Sequence, residues 1–261
     1  MPPRTAERRA CDGCPTYSCP ITTGGDRPYP GRNLTYLGFA AIVVVYLLLL
    51  QAGGLLIGNA AGEDSMDTTR GVVFTTLIPI GLALVFTYGV IARLGWTRSV
   101  LVDDKPVNRW VWAVPVILGI AILLGIDYGA LADKGLVFTL VLLIATQFVG
   151  WGEEGMFRGI GVTGLRRHGL TEGRVALWSS LIFGVVHLSN IVGLAGYFFY
   201  LTRRVSGSNA VNSVLHGLFD FALISGSLAS TAYVGTFAPI LAYPVLAVLL
   251  LMRRNAIETS R

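Results

Sequence analysis

The sequence predicts an all-α, polytopic membrane protein of about eight transmembrane helices with both termini in the cytosol. Three observations predict it. The 261 residues are 53% hydrophobic and only 13% charged, with a mean hydropathy of +0.65, whereas soluble domains hold about 25% charge. Apolar stretches of about 20 residues, enough to cross roughly 30 Å of hydrocarbon, recur along the chain. Arg and Lys collect in alternate connecting segments, the orientation signal of multi-span proteins. The net charge of +5 is therefore a topology signal. The expected partners are membrane lipids and no nucleic acid.

Residues 1–33 are rich in Pro, Gly, Arg and Thr and read as a disordered cytosolic tail. All three cysteines, Cys11, Cys14 and Cys19, lie there. One C-x-x-C pair plus a third Cys, with no histidine nearby, is a weak zinc pattern, and the thiols read as reduced. The first apolar segment begins too late for an ordinary cleaved signal peptide. Residues 34–254 form a single helical membrane domain with its chemistry in a core at about 135–229. Its segments are 34–58, 71–93, about 108–128, one from Gly135 toward Arg166, 174–191, a short 191–202, 205–229 and 231–252. Residues 255–261 are a short cytosolic tail. Arg98, Lys105 and Arg109 mark one basic loop, and Arg166, Arg167 and Arg174 the next. Arg203 with Arg204, and Arg253 with Arg254, mark two more. The alternate loops set Arg70 against Glu63, Asp64 and Asp67, and Lys134 against Asp127 and Asp133. An even number of spans with cytosolic ends satisfies this pattern.

Within the spans, charge is concentrated in three short motifs. Glu153, Glu154 and Arg158 stand in "WGEEGMFR", His187 closes "FGVVH", and "HGLFD" holds His216 and Asp220. Measured along a helix, Glu153 lies about 20 Å before Arg166, His187 the same distance after Arg174, and His216 about 18 Å after Arg204. Three ionisable groups on three segments thus fall at one depth and can meet. Glu154 and Arg158 are i,i+4 and pair on one helix face, which leaves Glu153 to face another element. Phe183 and His187, and His216 and Asp220, share the same spacing. Glycines 150, 152, 155, 159, 161 and 164 permit close helix contact or a break in the fourth segment. Each motif alone can be a satisfied structural contact. Three together at membrane depth are expensive and point to function.

Two chemistries suit this set. A buried Glu can act as general base on a water. Alternatively Glu153, His187, His216 and Asp220 supply ligand types for Zn²⁺ or another divalent metal, although H-E-x-x-H is missing.

In this order on consecutive apolar helices, the motifs resemble EExxxR, FxxxH and HxxxN/D of the CPBP intramembrane proteases. That family groups type II CAAX prenyl endopeptidases with bacterial relatives linked to bacteriocin processing or immunity. The resemblance implies that Glu153 and His187 activate the attacking water and that Glu154 and Arg158 support them. It also implies that His216 and Asp220 stabilise the oxyanion or orient the site. The prenyl endopeptidases usually carry Asn at the last position; an ionised Asp220 cannot donate a hydrogen bond to an oxyanion. The function implied is an intramembrane endopeptidase, by a metal-dependent or a glutamate mechanism. Its substrate would be a membrane-associated peptide or protein entering from the cytosol or the bilayer. The Ala, Gly and Arg content suits a bacterial cytoplasmic membrane. A proton-coupled transporter and a catalytically silent immunity or partner-binding protein are the rival classes, though no internal repeat of the kind many transporters show is evident.

Overall fold

The computed structural model describes residues 31–187, 195–228 and 233–258. The cysteines of the tail, the far end of the segment at 174–191, the start of that at 191–202 and residues 229–232 lie outside the described residues. Those described form helices and their connecting loops, with only two isolated bridges, Val102 to Ser208 and Val107 to Glu258.

The helices are α1 (Tyr36–Ala61), α2 (Thr69–Leu94), a short α3 (Thr97–Leu101), α4 (Arg109–Gly125) and α5 (Tyr128–Lys134). Then come α6 (Leu136–Arg167), α7 (Glu172–Val186), α8 (Gly196–Ser206), α9 (Asn209–Ser227) and α10 (Val234–Met252). Their ends obey local rules. Thr35, Asp127 and Ser208 cap α1, α5 and α9 through their side-chain oxygens, and Gly62 and Gly95 end α1 and α2 in the left-handed conformation.

Among the described residues, α1, α2, α6 and α10 are long and apolar enough to cross a membrane, and the pair α4–α5, bent by 52°, makes a fifth candidate. The remaining expected segments are helical but differ in kind. α7 has 15 residues and α8 has 11, about 22 and 17 Å of rise, which falls short of the hydrocarbon thickness. α8 is buried in the protein from Phe198 to Arg204, and α9 spends one face on polar side chains. These three surround the common depth of the motifs rather than facing lipid along their whole length.

Two features of α6 position the motif residues. First, its backbone touches that of α9: a Cβ on Gly217 would lie 2.6 Å from Gln147 Nε2 and 2.8 Å from Thr146 O, and one on Gly150 would strike Ser213 O. Only glycine lets the two helices cross this closely. Second, the glycine-rich stretch widens instead of breaking. Glu154–Gly161 forms a π-helical segment, and α6 continues through it to Arg167. Side-chain-free positions accommodate the extra residue per turn, and such bulges concentrate at functional sites.

At the basic end of the bundle, Asp103 is bracketed by Arg166 Nη1 at 2.9 Å and Arg203 Nε at 3.0 Å. Arg166 also grips Glu172 at 2.9 Å. Tyr200 donates to the same Glu172 at 2.6 Å, and Arg204 holds Glu258 at 2.7 Å. Burial alone would raise the Asp103 carboxyl, but the Arg203 and Arg166 charges, with hydrogen bonds from Arg166 and Lys105 N, hold it below the usual carboxylate range.

Candidate active site

The site is built on the π segment. Glu154, wholly buried, opens it, and three nitrogens surround its side chain, two as hydrogen-bond partners and one as an ion pair. Arg158 Nη1 lies 3.1 Å from Oε1, His216 Nδ1 lies 2.7 Å from the same oxygen, and Asn212 Nδ2 donates to Oε2. Its backbone carbonyl accepts from Asn209 Nδ2 at 3.0 Å. Asn209 thus ties α9 to the first residue of the widened turn. Arg158, also fully buried, donates from Nη2 to Gly196 O at 3.0 Å. Its guanidinium lies 3.9 Å from the Phe183 ring centre, a cation–π contact in a desolvated setting.

One residue earlier, Glu153 faces a different way. Its Oε2 lies 3.2 Å from His187 Nε2 and 3.8 Å from His216 Nε2. His216 Nε2 is in turn 3.6 Å from Asp220 Oδ2. Both imidazoles are held from behind. His187 Nδ1 is 2.9 Å from Phe183 O, so it donates there and turns Nε2 toward Glu153. Glu154 does the same for His216. Phe183 and Phe199 wall the rings, with Phe199 stacked on His216 at 4.6 Å and Phe183 tilted against His187 at 4.1 Å. Glu153 Oε2 is buried and makes no well-formed hydrogen bond; its contact with His187 is at ion-pair distance. One acceptor therefore stays open between two aimed nitrogens.

The structure brings together all six residues singled out in the sequence, Glu153, Glu154, Arg158, His187, His216 and Asp220, from α6, the end of α7, and α9. Sequence reasoning missed Asn209 and Asn212. The signal was present: 209, 212, 216 and 220 step by three, four and four along α9, one polar stripe on one helical face. It also missed Tyr46, a tyrosine within the apolar helix α1, which no spacing could have marked.

Metal fit is limited. Among the described residues no three of His, Cys, Asp and Glu are grouped to hold a metal ion, and Glu153 and His187 instead stand at direct contact distance. The side chains as placed suit an acid–imidazole pair better than a ligand set for Zn²⁺.

Fold and site together define an all-helical membrane protein with a buried carboxylate–imidazole centre. Residues 135–222 match the family model described as Rce1-like: Type II CAAX prenyl endopeptidase Rce1-like, which bears out the resemblance to the CPBP/CAAX proteases. The matched segment runs from the residue before α6 through His216 and Asp220 on α9. No curated protein and no solved structure matches the chain.

Proposed function

We propose that the protein is an intramembrane endopeptidase in which Glu153 is the general base. The observation that supports this most directly is the buried, hydrogen-bond-free Glu153 Oε2 between the Nε2 atoms of His187 and His216. A water there adds its oxygen to the scissile carbonyl carbon and gives one proton to Glu153. The resulting tetrahedral species collapses by breaking the C–N bond, and the leaving amine takes that proton, directly or through His187. The products are one carboxylic acid and one amine. His216 faces the reacting centre through Nε2, with Glu154 and Asp220 orienting it, while Arg158 balances Glu154 so that the second acid remains structural. A positioned base contributes about 10²–10⁴-fold to rate.

In this reading the chain is a multi-pass protein of the bacterial cytoplasmic membrane with both termini in the cytosol, residues 34–254 forming its membrane domain. The substrate is a membrane-associated peptide that reaches the site from the cytosol or through lipid. Catalysis needs no metal. The test is quantitative mapping of new N-termini in membranes holding wild-type or Glu153→Gln protein. New termini at a defined sequence that vanish in the variant support the reading. Identical peptide populations sink it, and proton flux in liposomes without cleavage would favour the transporter class. Cleavage stopped by 1,10-phenanthroline and restored by Zn²⁺ would replace the metal-free mechanism.

A further inference from the structure

Hydrolysis at Glu153 needs a donor as well as a base, and the buried donors near it can be counted. The side-chain nitrogens of Asn209 and Asn212 are committed to Glu154. The Thr87 hydroxyl donates to Ala83 O at 2.9 Å and that of Ser213 to Asn209 O at 2.9 Å. His187 and His216 each spend Nδ1 on an oxygen behind the ring. Asp220 as a carboxylate only accepts. The Arg158 guanidinium donates from Nη2 to Gly196 O and ion-pairs with Glu154; its Nε and Nη1 make no hydrogen bond, but its charge is spent on Glu154.

Tyr46 is different. It is wholly buried in α1, and its hydroxyl has no hydrogen-bond partner among the described residues. An unmade hydrogen bond on a buried hydroxyl is costly, so its persistence asks for a reason. Its place supplies one. The hydroxyl lies 3.1 Å from where a Cβ on Gly152 would stand, next to Glu153 in the chain. The ring meets Phe157 edge-on at 6.4 Å, and Phe157 lies one helical turn beyond Glu153 on the same side of α6. Glycine at 152 is what lets the phenol come this near: a side chain there would press on Tyr46 Oη and Ile80. Tyr88 and Tyr243 also have buried hydroxyls without partners, but the Tyr88 ring borders Gly155 and the Tyr243 ring packs on Phe198 and Phe219.

We infer that Tyr46 is a further catalytic residue: its phenol O–H donates to the scissile carbonyl oxygen as that oxygen gains negative charge. The inference rests on the proteolytic reading. It gives the site an open acceptor, Glu153 Oε2, for the proton of the water, and an open neutral donor beside Gly152, Tyr46 Oη, for the oxyanion. It also fills the role that Asp220 in its ionised form cannot. Donors fixed in a dry site before the charge develops are worth about 10²–10³-fold in kcat.

The test compares full-length wild-type, Tyr46→Phe, Tyr243→Phe and Glu153→Gln proteins in proteoliposomes with total bacterial membrane proteins, following the rate of new N-terminus formation and thermal unfolding. Tyr46→Phe is expected to slow cleavage about 100-fold at the same sites, while its unfolding temperature stays level or rises, because the lost hydroxyl had no partner. Tyr243→Phe is expected to cleave at the wild-type rate. Wild-type rate in Tyr46→Phe, with Glu153→Gln inactive, overturns the role of Tyr46 and leaves the protease standing. Parallel loss of rate and unfolding temperature in Tyr46→Phe makes it a packing residue and also overturns the role. Equal cleavage by wild type and Glu153→Gln removes the protease, and this inference with it.

Discussion

Two charge clusters meet on α6 and α7 and are built to opposite ends. At the basic end, Asp103, Glu172 and Glu258 face Arg166, Arg203 and Arg204, and every carboxylate oxygen receives a donor. What remains open there is on the donor side, at Arg203. Guanidinium groups keep their charge at any working pH and match carboxylates with a rigid fork, so this cluster ties loops together and has nothing left to exchange. In the inner cluster one acid, Glu154, is saturated in the same way, while its neighbour Glu153 keeps an open oxygen between two imidazoles that can gain or lose a proton. Adjacent positions on one helix thus hold a structural acid and an available one. The π segment and the stripe on α9 make the difference. Satisfaction marks the brace, and an unfilled acceptor marks the chemistry.

Breaking each cluster should give different readouts. The largest effect is expected from Glu153→Gln: new N-termini should fall by at least about 10³-fold, with unchanged unfolding temperature, as measured in membranes holding either protein. Asp103→Ala should do the reverse. It strands the buried Arg203 charge and should cost about 3–5 kcal/mol of stability, read by denaturant titration in detergent, while the folded fraction cleaves at the wild-type rate. Asn212→Leu removes one donor from Glu154 Oε2 and should cost about 1–3 kcal/mol, with a smaller loss of rate as His216 loses its fixed support.

A pH series sharpens the contrast. The Asp103 carboxyl sits below its unfolded value, so its contribution is complete above about pH 4 and is lost as pH falls through the lowered folded value. Melting curves between neutral pH and pH 3 should show acid destabilisation of the wild type that is weaker in Asp103→Asn. The smallest effect belongs to a surface control. Arg70, 62% exposed, pairs with Glu63, and Arg70→Ala should change stability by less than about 1 kcal/mol.

Much of the site was legible in the chain. The motifs at 153–158, 183–187 and 216–220 are local i,i+4 patterns, and their equal distance from basic loops set a common depth before any contact was known. The length of α6 was readable from its uncharged run. Other features were not. The glycines allowed either a break or close packing, and the structure shows close packing on α9 with a π segment in place of a break. The segments at 174–191 and 191–202 looked like spans because they are apolar, yet α8 is apolar to fit inside the protein. Hydropathy does not distinguish burial in protein from burial in lipid.

The order of residues by itself therefore determined the helical membrane class, the three motifs and their shared depth, because these depend on periodicity, charge and rise per residue. The tertiary structure alone decided which of two neighbouring glutamates is saturated, and that Tyr46 of the first helix stands against Gly152, the residue before the other. Those outcomes turn on contacts between residues up to about a hundred positions apart, whose angles and distances no local spacing encodes.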